Sequence, residues 1–173
     1  MSPMKDSLGQ ILPLSETPSE KRLRVYGDAL FLAMRSQRHQ SMTTAELRTY
    51  LEPPILMGNF RVIRVSDIPR AMFTWAHLGA EAERRLLTGE PLQPNDWNSG
   101  PHRWIIDILA PYGGMMRGIG RWLMVPGNFS DREFYFRRIG TGNETRRIVH
   151  VDMAAERKSR IYTGNEYLAQ IDT

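Results

Sequence analysis

A chain of 173 residues, 41% hydrophobic and 24% charged, has room for one domain with a real core and too little for two. Cysteine is absent, which excludes a disulfide framework, a thiolate metal site and a cysteine nucleophile, and fits a reducing compartment. The net charge of +4 comes mainly from arginine and favours an acidic partner, yet no long basic block forms a nucleic-acid-binding tail.

Residues 1–18 are rich in Ser, Pro and Gly without a sustained period, so a mobile arm is expected ahead of one domain over 19–151. No signal-peptide run or membrane-spanning stretch is visible, and a cytoplasmic location is expected. A helix is predicted over Glu20–Ser36, with Leu23, Gly27, Leu30 and Met34 as its apolar row. A second begins near Thr43, where Thr43 and Glu46 form a capping box, and is expected to stop at Pro53-Pro54. Strands follow at Phe60–Val65 and Ala71–Ala76, joined through Asp67–Arg70. A helix over Ala80–Leu87 carries acids early and arginines late, as the helix dipole prefers.

The stretch Asp96–Gly114, DWNSGPHRWIIDILAPYGG, then sets a carboxylate, Asp107, between Ile105 and Leu109. Read as a regular strand, it turns Trp104, Ile106, Ile108 and Ala110 to one side and Ile105, Asp107 and Leu109 to the other. An ionised aspartate there is costly to bury without a partner. Met115–Met124 is predicted helical, and its Gly118 and Gly120 are assigned to close helix packing rather than to a phosphate loop, since the Lys-Ser/Thr of a P-loop is missing. Glu133–Ile139 and Arg146–Val151 are the last strands, and residues 152–173 form a polar segment without an assignment. This order predicts an α/β domain of the α+β type, with a mixed, mostly antiparallel sheet flanked by helices.

Four histidines, His39, His77, His102 and His150, show no zinc-binding spacing, so no metal is expected. His39 has the strongest local case for chemistry, lying in a polar junction just past a helix end. His102 and His150 have structural explanations.

Residues 27–139 carry an ordered set of features: Ser36 and His39, Pro53 and Ile55, Phe60, then Phe73-Thr74-Trp75-Ala76-His77-Leu78. Asp96-Trp97-Asn98-Ser99-Gly100 follows, continued by Trp104-Ile105-Ile106-Asp107 and Ala110-Pro111-Tyr112-Gly113. In these the chain resembles the RTX toxin-activating lysine acyltransferases. The resemblance implies a fold similar to the Gcn5-related N-acetyltransferases and transfer of a fatty acyl group from acyl carrier protein to internal lysines of an RTX-type protein. It places the catalytic histidine at His39, the catalytic aspartate at Asp107 and a late-strand arginine at Arg138. Substrate contacts are expected from Ser36, Trp104, Arg117, Arg121 and Arg138, with Arg84 and Arg85 as further candidates for docking an acidic carrier protein. It further implies no bound cofactor and a homodimer. Around His39 the chain departs from the family, with Gln37-Arg38 in place of Pro-Leu and Gln40 in place of Arg. Two other readings are a non-catalytic module that binds the carrier or the RTX protein, and a basic nucleic-acid-binding domain.

Overall fold

The computed structural model describes residues 4–171; residues 1–3 of the expected arm and 172–173 of the C-terminal segment lie outside the described residues. The elements are α1 (Glu20–Ala33), α2 (Thr44–Met57), β1 (Phe60–Val65), β2 (Ile68–Leu78), α3 (Ala80–Thr88), a 3₁₀ turn (Pro94–Trp97) and β3 (His102–Leu109), followed by α4 (Met115–Leu123), β4 (Glu133–Ile139), β5 (Thr145–Asp152), β6 (Ser159–Tyr162) and α5 (Gly164–Ile171). One six-stranded sheet runs in chain order, β1 to β6. Every pairing is antiparallel except β3 with β4, which are parallel and joined by the α4 crossover. The molecule is a single α+β domain compatible with the Gcn5-related fold. No described helix is long and apolar enough to cross a membrane.

Local chemistry explains most boundaries. Helix α1 starts on Ser19, whose hydroxyl accepts from Arg22 N, and α2 on the expected Thr43–Glu46 box. Pro53 and Pro54 do not stop α2. The helix runs on to Met57, where Gly58 adopts φ 75°. Asn59 N–H donates to Pro54 O at 2.8 Å and Gly58 N–H to Ile55 O at 3.4 Å, a Schellman closure. Burial of Leu51, Pro54 and Ile55 against the sheet, together with that cap, offsets the missing proline N–H groups. The β1–β2 hairpin is also tighter than expected. Ser66 and Asp67 take φ 50° and 68°, so Ile68 already pairs with Val65 and β2 begins there.

Two faces of the sheet are covered. On one, α1 and α2 press Ala29, Leu32, Ala33, Leu51 and Ile55 onto Met72 and Leu109. Beside them α3 and α5 bring Leu86 and Tyr167 to Trp104, Ile106 and Ile148. On the other, α4 alone lays Ile119 and Leu123 on Phe73, Ile105 and Phe134. The row Leu23, Leu30 and Met34 predicted to face the core is exposed instead; the small side chains of Ala29 and Ala33 let the opposite face approach the sheet. The unassigned C-terminal segment contributes β6 and α5, the latter opened by a Thr163–Glu166 box.

Strand β3 is not regular. Asp107 pairs with Thr74 but Ile105 pairs with Trp75, which leaves Ile106 as an extra residue. This bulge reverses the alternation expected from sequence. Ile108 joins Ile105 on the α4 face, while Asp107 comes to the face of Trp104, Ile106 and Leu109. That face also holds α1 and the chain leaving it.

Candidate active site

The chain leaves α1 through tight turns in which His39 N–H and Gln40 N–H both donate to Ser36 O. These turns aim the His39 ring inward, where it is 1% exposed. Its Nδ1 lies 2.6 Å from Ser36 Oγ and its Nε2 lies 2.7 Å from Asp107 Oδ2. The other Asp107 oxygen accepts from Arg38 Nη1 and from Ile108 N–H, each at 3.0 Å. Burial alone raises a carboxyl pKa. The hydrogen bond and charge of His39, the charge of Arg38 and the Ile108 N–H together overcome it and hold Asp107 below the usual carboxylate range. An ionised carboxylate only accepts, so Nε2–H donates to Asp107, and whenever the ring is neutral its lone pair is on Nδ1, facing the Ser36 hydroxyl.

Strands β3 and β4 pair only at Trp104–Tyr135 and Ile105–Phe136 and then part. The opening is a cavity of about 190 Å³ bounded by Ser36, Arg38, His39, Asp107, Phe136 and Arg137. Arg38 also donates to Asn143 Oδ1 at 3.0 Å, and Asn143 sits at φ 65° in the β4–β5 turn. Arg137 donates to Leu86 O at 2.8 Å and to Thr145 Oγ1 at 3.1 Å; burial, then the Arg38 charge, push its pKa down.

Of the residues singled out from sequence, His39, Asp107 and Ser36 come together. Trp104 does not join them. It is wholly buried in the core, where Nε1 donates to Glu83 Oε1 at 2.8 Å and its ring stacks on Tyr135 at 5.2 Å. Trp104→Phe is therefore expected to cost about 1–3 kcal/mol of stability, because buried Glu83 loses a donor. Urea unfolding checks this, and kcat and KM measured on the same sample are expected to stay within twofold. Arg117, Arg121 and Arg138 are exposed and lie outside the cavity wall, which takes Arg137 instead. Arg84 and Arg85 are on α3, 3.5 Å from Glu81 and 2.8 Å from Asp96 respectively.

The motif Asp96–Gly100 is a structural clasp. Ser99 Oγ accepts from Gly79 N–H, and a Cβ at Gly100 would collide with the Gly79 backbone. His102 and His150 also serve structure. His102 lies 2.6 Å from Glu83, whose hydrogen bond raises its pKa against burial, and His150 stacks on Tyr135. Sequence reasoning missed Arg38 and Asn143, because their contacts join distant segments and neither stands in a motif. Among the described residues, no group of three or more His, Asp or Glu side chains is placed to hold a metal.

A family model described as the RTX toxin acyltransferase family matches residues 18–152. A leukotoxin-activating lysine-acyltransferase of a Pasteurella haemolytica-like species is 33% identical over 88 residues, covering 50% of this chain and 53% of that protein. A protein-lysine palmitoyltransferase of Bordetella bronchiseptica is 30% identical over 107 residues, 59% of this chain and 58% of its own. A protein-lysine myristoyltransferase of Escherichia coli is 30% identical over 94 residues, 54% and 55% respectively. The chain spans a little over half the length of these relatives. With three-quarters of its length inside one family model and the same stretch folding as a single sheet around His39 and Asp107, the chain belongs to the RTX toxin acyltransferase family.

Proposed function

We propose that this protein transfers a fatty acyl group from acyl carrier protein to internal lysine ε-amines of an RTX-type protein in the cytoplasm. The observation that carries this reading is the 2.7 Å contact of His39 with Asp107 at the wall of a cavity between parted strands. A free lysine amine has a pKa of ~10.4 and is almost wholly protonated near neutrality. Once it loses its first proton to solvent, its nitrogen attacks the thioester carbonyl. The C–N bond forms, and a second proton passes through the Ser36 hydroxyl to His39 Nδ1. Asp107 stabilises the imidazolium. The C–S bond breaks, and His39 returns that proton to the departing thiolate. The thioester supplies its own leaving group, so no bound cofactor is needed.

Arg117, Arg121 and Arg138 fit the donor rather than the chemistry. All three are exposed, Arg117 and Arg121 on α4 and Arg138 on β4, and their charge suits an acidic carrier. The exposed α1 row of Leu23, Leu30 and Met34 offers a surface for a second copy in a homodimer.

A second reading is favoured by the 2.6 Å approach of Ser36 Oγ to His39 Nδ1. In it Ser36 is the nucleophile and carries the acyl group as an ester before the lysine takes it. Intact-mass spectrometry separates the readings. Acyl mass on lysine of the acceptor, with none on the enzyme, is expected for direct transfer. Enzyme that gains acyl mass without acceptor, and loses this with Ser36→Ala, indicates the serine route. Complex formation with no mass change on either protein overturns both in favour of a silent binding module.

A further inference from the structure

Gly120 lies inside α4, where glycine is unfavourable relative to alanine. Close packing does not account for it: a Cβ built at Gly120 meets no atom within 4 Å. Gly120 thus differs from the close-packed helix glycine expected from sequence. What Gly120 does face is a second hollow, of about 220 Å³, between α4 and strands β3 and β4. Residues 116, 119, 120 and 123 fall on one side of the helix at the spacing of a single face and form its roof, and Phe134 and Phe136 lie in its floor. Every one of these side chains is apolar, and Met116 and Met124 at its margins are partly exposed and conformationally adaptable.

This hollow adjoins the cavity of His39. Ile105, Ile108, Met116 and Phe136 border both, whereas Ile119, Gly120, Leu123 and Phe134 border only the apolar one and lie on its far side from the catalytic pair. A polar chamber beside an apolar annex matches a substrate with a reactive carbonyl and a hydrocarbon tail. We propose that the annex beneath α4 receives the distal carbons of the donor's acyl chain and that Gly120, by carrying no side chain, sets the longest chain accepted. This rests on the acyl-transfer reading above and adds the residue that selects among donors.

Each methylene kept out of an apolar site weakens binding roughly fourfold. The four side-chain carbons of leucine at position 120 would take the place of several methylenes, so the expected loss for a long chain is about a hundredfold. Wild type, Gly120→Leu and Gly118→Leu are titrated with sodium myristate and sodium octanoate by calorimetry, each variant first checked for wild-type circular dichroism. Gly118 makes the same demand on helix propensity but lies on the other side of α4, outside both hollows. The myristate-to-octanoate affinity ratio is expected to fall about a hundredfold in Gly120→Leu and to hold within threefold in Gly118→Leu. An unchanged ratio in Gly120→Leu, an equal fall in Gly118→Leu, or no myristate binding by wild type overturns the proposal. Transfer is read separately by mass from myristoyl- and octanoyl-acyl carrier protein. A wild type that shows the length-dependent binding and transfers neither group keeps the annex and loses the reaction.

Discussion

His39→Ala is expected to lower kcat for acyl transfer by about 10²–10⁴ while the chain remains folded, with little change in KM. In the proposed transfer the ring supplies the basic nitrogen, and no other histidine lines the cavity. The fold survives because Asp107 is not left bare: Arg38 and the Ile108 N–H, both at 3.0 Å, still neutralise and bind the carboxylate. A stability loss of roughly 1–3 kcal/mol follows from the missing ring and its two hydrogen bonds. Single-turnover transfer followed by mass spectrometry, alongside a thermal melt, tests both halves. A variant as fast as wild type removes the base from the mechanism.

Asp107→Asn is expected to cost about 10³–10⁴ in kcat with almost no change of shape. The carboxylate accepts from His39, Arg38 and Ile108 N–H. An asparagine has one accepting oxygen and one donating nitrogen, so it cannot satisfy His39 and Arg38 together. If the amide nitrogen faces Nε2, the imidazole must carry its proton on Nδ1, and Ser36 loses its acceptor. A pH signature accompanies the change. Because the folded Asp107 pKa is depressed, its contribution to stability is fully present above the unfolded carboxyl pKa of ~3.9 and is lost as pH falls through the lower folded value. Urea midpoints for wild type are therefore expected to drop below about pH 4, and the Asp107→Asn protein lacks this part of the acid slope. Equal acid slopes for the two proteins would show that Asp107 is not held ionised by its neighbours.

Much of the architecture was legible because local signals agreed with it. The Thr43–Glu46 box, the runs Phe60–Val65 and Glu133–Ile139, and the helix bounded by Gly79 and Gly89 all fold where their patterns place them. Asp107 drew attention for a physical reason, since a carboxylate between aliphatics requires a partner. What stayed hidden depends on tertiary contacts. Periodicity alone cannot tell that alanines, rather than the larger row with Leu23 and Leu30, face the sheet in α1. Nor can it show that a Schellman cap carries α2 past two prolines. Arg38 meets Asp107 and Asn143 only after three remote segments converge. The motif around Trp104 points it toward substrate, but Glu83 on α3 claims its indole N–H.

The surplus residue at Ile106 has a wider meaning for how this site can be inherited or rebuilt. In a pleated ribbon, sidedness is a matter of odd and even count, and Ile106 flips the count once between the buried tryptophan and the acid. Drawing that isoleucine into regular pairing, so that the strand keeps every residue but loses its bulge, would remove no reactive group and leave both neighbouring strands available. It would nonetheless send the acid toward α4 and strand the imidazole on the opposite side of the sheet.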